Sequence, residues 1–210
     1  MPVLLVIAKE PVPGRVKTRL TPPCTPEQAA ALARAAIEDT LAAALAVERD
    51  TRRVLVLDGE PGEWIPEGFE VIAQRGDGLA ERLAAAFDDA GAPAFLVGMD
   101  TPQLTPELLE AGLDAVLADD AAFGAAFDGG YWGIGLRRAD ARAFDGVPMS
   151  RDNTGAVQRA RLAILGLRTA ILPPLRDIDT IEDARAVARE APDGRFAAAL
   201  AEVGPGARAS

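Results

Sequence analysis

The chain has 210 residues, 49% of them apolar, and a formal net charge of −10. That length suits one domain with an ample core. No apolar run approaches the roughly 20 residues of a membrane span, and the acidity speaks against nucleic acid or an anionic membrane as a partner, since clustered Lys and Arg supply that affinity. Histidine is absent, which excludes Ser-His-Asp triads, Cys-His dyads, HExxH zinc sites and imidazole bases, and leaves oxygen ligands for any metal, hence Mg²⁺ or Mn²⁺ rather than Zn²⁺.

The first predicted element is a strand, Val3 to Ala8, entered from Met1-Pro2 without a basic leader. No signal peptide is expected, and a single cysteine, Cys24, allows no internal disulfide, so a reducing cytoplasm is the expected compartment. The strand runs into Lys9-Glu10-Pro11-Val12-Pro13-Gly14-Arg15-Val16-Lys17-Thr18-Arg19-Leu20, where Lys9, Arg15, Lys17 and Arg19 concentrate positive charge in an acidic chain. Thr25-Pro26-Glu27-Gln28 reads as a capping box opening a helix from Pro26 to about Val47. Strands follow at Arg53 to Leu57 and Glu70 to Ala73, a helix at Gly78 to Ala90, and a strand at Ala94 to Gly98 that ends in Met99-Asp100-Thr101-Pro102. Thr105-Pro106-Glu107 opens the next helix, to about Leu117.

Asp128-Gly129-Gly130 between Phe123–Phe127 and Tyr131–Leu136 predicts a hairpin with a type I′ turn. A helix over Asn153 to Gly166, a strand over Arg168 to Ile171 and a helix over Ile181 to Ala191, capped by Thr180, complete the pattern. Strand and helix alternate through the first half, so the expected fold is α/β, a mostly parallel mixed sheet with an antiparallel β-hairpin insertion.

Four segments carry chemistry. The loop after the first strand lies where open α/β sheets bind ligands, beyond the carboxyl end of a strand. Pro11, Pro13 and Gly14 force an irregular path there, and Lys17 and Arg19 can hold phosphates; its plain alternative is a solvated loop. It matches neither GxxxxGK[ST] nor GxGxxG. Asp100 arrives at the same sheet edge, or simply caps its turn. Asp177 and Asp179 alternate in an extended segment and so face one way. With Asp100 they predict a site for Mg²⁺ (or Mn²⁺) bridging phosphate oxygens, unless Asp179 merely caps the following helix. The glycines around Tyr131 and Trp132 suggest a wall that a ligand approaches closely, or only a tight turn. Cys24 has no partner base and reads as packing.

In this order the four segments resemble the GT-A (nucleotide-diphospho-sugar transferase) superfamily, and within it the bacterial radical-SAM/selenodomain-associated or arsenosugar-biosynthesis transferases. The resemblance is carried by Lys9-x-Pro11-x-x-Gly14-x-x-Lys17-Thr18-Arg19-Leu20, Gly98-x-Asp100-x-Pro102-x-Leu104, Asp128-Gly129-Gly130-Tyr131-x-x-Ile134-Gly135-Leu136 and Asp177-Ile178-Asp179-Thr180-x-Glu182-Asp183. The first segment is also similar to that of 2-phospholactate guanylyltransferases and, distantly, molybdenum-cofactor guanylyltransferases. The chain departs from the family pattern at Trp132-Gly133 and at Met149-Ser150-Arg151-Asp152-Asn153-Thr154, where an acceptor would sit.

The resemblance implies a three-layer α/β/α sandwich, with one transferase domain over residues 1–195 and a partly disordered tail over 196–210. It implies a nucleotide on Lys9, Gly14, Arg15, Lys17, Thr18 and Arg19, and a small-molecule acceptor near Asp128, Gly129, Gly130 and Tyr131. It further implies metal ligation by Asp100 at the centre, completed by Asp179 with Asp177 beside it, and Lys17, Asp100 and Asp179 as catalytic. Nucleotidyl transfer from an NTP to a small anionic acceptor is the leading expectation. Glycosyl transfer from a nucleotide-sugar is the alternative, and a non-catalytic nucleotide-binding protein comes third. The nucleobase, the acceptor and the oligomeric state stay open.

Overall fold

The computed structural model describes residues 1–91 and 93–203. Seven strands form one sheet: β1 (Val3–Lys9), β2 (Arg52–Asp58), β3 (Glu70–Ala73), β4 (Ala94–Val97), β5 (Ala121–Ala126), β6 (Tyr131–Leu136) and β7 (Thr169–Leu175). Their order is β3-β2-β1-β4-β6-β5-β7. Every neighbouring pair is parallel except the two that β6 makes, with β4 and with β5. The helices are α1 (Pro26–Leu45), α2 (Leu79–Ala90), α3 (Pro106–Ala118), α4 (Thr154–Ile164), α5 (Ile181–Glu190) and α6 (Arg195–Val203).

The apolar run of β1 is divided between two cores by its period of two. Leu4, Val6 and Ala8 pack with Ile37 and Leu41 of α1 and Leu109 and Leu113 of α3. Val3 and Leu5 pack on the other face with Leu83 and Phe87 of α2 and Leu162 of α4. A sheet covered on both faces needs such continuous apolar strands, and the result is the expected α/β/α sandwich. Helix α1 is also buried on its outer side, where Leu32, Ala29 and Ala36 meet Ala184 and Val187 of α5 and Phe196 of α6.

The predicted caps are present: Thr25 and Gln28 form a reciprocal capping box, Thr180 and Asp183 form another, and the Thr105 hydroxyl accepts the Leu108 N–H. Three expectations are revised. Strand β7 runs through Pro173-Pro174, which an edge strand tolerates because no ladder bond is lost on its free side. The hairpin is not type I′, a turn that needs positive φ at two residues. Here the Gly129 N–H closes on Ala126 O, the Asp128 carboxylate accepts the Gly130 N–H at 2.9 Å, and only Gly129 turns to positive φ (+91°). Finally, residues 196–203 of the expected tail belong to helix α6; Asp39 of α1 accepts the Arg195 and Phe196 N–H groups at 3.0 and 2.8 Å, and Phe196 is buried. Gly204 to Ser210, the rest of that tail, lie outside the described residues.

Candidate active site

Because the parallel strands share a direction, the segments after β1, β4, β5 and β7 emerge at one edge of the sheet, where β6 begins. A cleft of about 820 Å³ opens there, room enough for a nucleotide with a second small molecule. One wall is the loop after β1. Its two apolar residues anchor it: Val16 packs with Ala30 and Ala33, and Leu20 is wholly buried beside Leu32. Lys9, Arg15, Lys17, Thr18 and Arg19 line the cleft. Gly14 stands behind them, with φ +77°, and supplies the turn rather than a contact surface. The Arg15 N–H closes that turn on Val12 O.

The opposing floor is acidic. Asp100 follows β4, and its carbonyl accepts the Ile178 N–H, which brings Asp177-Ile178-Asp179 alongside. Ile178 is buried, so the two aspartates on either side of it both face the cleft, as the alternation predicts. They then diverge. Asp179 pairs with Arg19 at 2.7 Å, whereas Asp177 lies among like charges. Burial, then Asp100, push the Asp177 carboxyl up to about 7, with Lys17 opposing and Asp128 and Asp179 adding smaller contributions.

Lys17 is the more deeply seated of the two cations that pair with this floor. Its side chain is 6% exposed, and Nζ lies 2.7 Å from Asp100 Oδ1 and 2.5 Å from Ile178 O. Asp100 Oδ1 is buried and has no well-aligned hydrogen bond, so the ion pair with Lys17 is its one close polar contact among the described residues.

Among the described residues no three carboxylates or thiols converge closely enough to hold a metal by themselves. Of the expected Asp100/Asp177/Asp179 set, Asp179 pairs with Arg19. The buried Asp100 Oδ1 and the crowded Asp177 remain a fitting hard-oxygen pair for Mg²⁺ or Mn²⁺. Mg²⁺ in particular binds through one or two carboxylates and takes its other ligands from phosphates and water.

Where the resemblance implied an acceptor, Asp128, Gly130 and Tyr131 line the cleft, while Gly129 sits behind, pressed on the backbone of Asp152. Burial pushes the Tyr131 phenol up, so at neutral pH it is a neutral hydroxyl and no base. Trp132 is 3% exposed and donates Nε1–H to Pro173 O, so it belongs more to the core than to a ligand wall. Burial likewise raises the Cys24 thiol, in keeping with a packing role.

Two further segments line the cleft, one unanticipated and one marked in the sequence only as a departure from the family pattern. Gln74, Asp77 and Arg82 form its far end. Gln74 donates to Ala8 O and Val56 O and accepts from Arg82, which also pairs with Asp58 at 2.8 Å, so this corner is stapled to β1 and β2. The Gly76-Asp77-Gly78 turn directly after β3 was its legible signal. Met149 to Asp152 form the other segment, with Ser150 at φ +59°. The buried Thr154 braces it, accepting the Arg151 N–H at 2.9 Å and donating to Pro148 O at 2.7 Å.

Comparison with solved structures agrees with this architecture. A candidate nucleotide-diphospho-sugar transferase from Desulfovibrio desulfuricans G20 is 29% identical and superposes with a TM-score of 0.84, over 96% of this chain and 94% of that one. CMP:2-keto-3-deoxy-manno-octonic acid synthetase, solved with CTP, is 14% identical with a TM-score of 0.59, over 91% of this chain and 99% of that one. Rv0371c of Mycobacterium tuberculosis H37Rv, solved with manganese, is 20% identical with a TM-score of 0.54, over 89% and 96%. At those last two identities the likeness concerns the fold. No protein of curated function matches the chain in sequence. A family profile matches residues 29–151, more than half the chain, and includes Asp100, the hairpin, Gln74 to Arg82 and Met149 to Arg151, while leaving out the cationic loop, Asp177 and Asp179. The chain belongs to that family, described as "Uncharacterized protein conserved in bacteria (DUF2064)".

Proposed function

We propose that the chain is a divalent-cation-dependent nucleotidyltransferase that joins the nucleotidyl group of an NTP to a small anionic acceptor, releasing pyrophosphate. One observation carries this reading: a cationic loop and a carboxylate pair face each other across a single cleft at the carboxyl ends of the strands. An acceptor already ionised needs no general base, which suits a chain without histidine and with a neutral Tyr131. Its oxygen attacks the α-phosphorus, the bond to the β-phosphate oxygen breaks, and negative charge grows on the departing pyrophosphate. Catalysis of this kind is positioning and charge neutralisation.

Lys9 and Arg15, which make no ion pair among the described residues, attract the triphosphate. Arg19, steadied by Asp179, grips phosphate oxygens with its planar fork. Lys17 adds a point charge, and Thr18 a hydroxyl. Asp100 and Asp177 would hold Mg²⁺ or Mn²⁺, which would supply Lewis-acid stabilisation of phosphate charge. The manganese-bound fold neighbour supports that choice of metal. The acceptor rests against Asp128, Gly130 and Tyr131 and beneath the Ser150–Arg151 loop, where Arg151 can meet its negative group.

A second reading, glycosyl transfer from a nucleotide-sugar, is favoured by the description of the Desulfovibrio structure and by the motif resemblance to radical-SAM/selenodomain-associated transferases. Labelled NTPs with Mg²⁺ and a set of phosphorylated or carboxylated small acids separate the two. Acceptor-dependent pyrophosphate is expected. Release of a nucleoside diphosphate from a nucleotide-sugar, with pyrophosphate never appearing, replaces the first reading with the second.

A further inference from the structure

The four cations of the loop after β1 do not stand alike. Lys9 and Arg15 are exposed, and Arg19 is 65% exposed even while paired with Asp179. Lys17 alone is swung inward, 6% exposed, with Nζ held between Asp100 Oδ1 and Ile178 O. Its backbone is left-handed, φ +47° and ψ +36°, a conformation that L side chains rarely adopt and that persists where the surroundings fix it. Buried Val16 and Leu20 clamp the chain on either side. The loop is thus built to press one ammonium onto the carboxylate pair that would otherwise receive a metal.

We propose that Lys17 is a built-in counter-ion that shields the Asp100–Asp177 pair from free divalent cations, and that the phosphates of a nucleotide draw it off, so that cation and nucleotide enter together. The inference rests on the nucleotide-transferase reading above. An ammonium and a metal ion cannot both sit against Asp100 Oδ1, because two cations in contact with one oxygen repel each other strongly at this depth. The ammonium offers three donors and no acceptor, so it satisfies a carboxylate and a carbonyl as a hard cation does, with a single charge. It rides on a flexible stem, so it can leave when phosphate oxygens compete for it; a guanidinium locked in a fork would not release as readily. Linkage makes the effect reciprocal: whatever removes Lys17 raises the affinity for the metal, and the metal raises the affinity for whatever holds Lys17.

The test is direct binding of Mn²⁺, followed by electron paramagnetic resonance without nucleotide, to wild type, Lys17→Met, and Lys17→Met combined with Asp100→Asn. Lys17→Met is expected to bind free Mn²⁺ about tenfold more tightly than wild type, or better, and the added Asp100→Asn to abolish the gain. Equal or weaker binding by Lys17→Met overturns the proposal, as does a gain that survives Asp100→Asn. Should Lys17→Met not fold, the wild-type protein still decides. A slowly exchanging lysine ammonium resonance is expected in the metal-free protein and should shift or vanish on adding Mg²⁺ with at least one of the four common NTPs. A resonance unchanged by Mg²⁺ with any of the four NTPs overturns the proposal. These readouts need no turnover, so a protein that forms no pyrophosphate but shows the Lys17→Met gain loses the reaction assignment and keeps the counter-ion.

Discussion

Replacing Asp177 by Asn probes the electrostatics of the cleft floor through stability alone. In the unfolded chain this carboxyl titrates near its ordinary 3.8; in the native protein burial and the neighbouring Asp100 push it up to about 7. Between those values the native state holds a proton that the unfolded state has lost. Stability therefore falls as pH rises from about 4 to about 7, since the slope follows the protons bound by the unfolded state minus those bound by the native state. Three pH units set a ceiling of about 4 kcal/mol. Asp177 is half-buried in an open cleft, and solvent screening brings the expected loss to about 1–3 kcal/mol. Urea denaturation of wild type and Asp177→Asn, without divalent cations and across that window, measures it. The two should be nearly equal in stability at the acid end, and the variant should be the more stable at neutral pH and above. A difference that stays constant with pH would refute the assignment of the charge crowding to Asp177.

Asp100→Asn should abolish metal-dependent turnover while leaving the unfolding free energy from urea titration within about 1 kcal/mol of wild type, because its carboxylate lies at a strand end, 39% exposed; turnover at the wild-type rate removes Asp100 from the metal site. Gly112→Ala places a methyl 2.4–2.6 Å from the Phe95 ring, where α3 crosses the sheet. Overpacking of about 1–3 kcal/mol should outweigh the helix-propensity gain of about 1 kcal/mol, and a stabilised variant in thermal melting would show that the contact yields. Thr180→Ala removes the capping box of α5, beside the Asp177–Asp179 segment, and should cost about 1 kcal/mol by the same melt.

The elements most legible in the sequence are those fixed by local chemistry. Caps at Thr25, Thr105 and Thr180, and apolar strands bounded by Pro and Gly, lie within a few residues of one another and carry their own signals. What escaped depends on contacts between distant residues. The insertion of β6 between β4 and β5 is set by close packing, with Gly133 and Gly135 leaving space for Phe95. The start of α6 is capped by Asp39, on α1. The site divides in the same way. That cations and carboxylates share a sheet edge follows from strand direction alone, but which cation meets which carboxylate does not. Arg19 with Asp179, and Lys17 with Asp100, are pairings across more than eighty residues of sequence, decided by how the loop after β1 is anchored.

That anchoring bears on how the cleft works. Among the described residues two non-glycine positions take positive φ, Lys17 and Ser150, and both line the cleft. Each belongs to a loop held from below, by buried Val16 and Leu20 in one case and by the Thr154 hydroxyl in the other. A local rule broken twice, on two loops that line one cavity and nowhere else described, is the pattern expected where the surrounding structure sustains strain for the sake of a site. The strain sits in the backbone, while the charged ends of Lys17 and Arg151 remain on long flexible stems. On the proposed reading, the loops hold their paths while the charges redistribute between the carboxylates and an incoming phosphate.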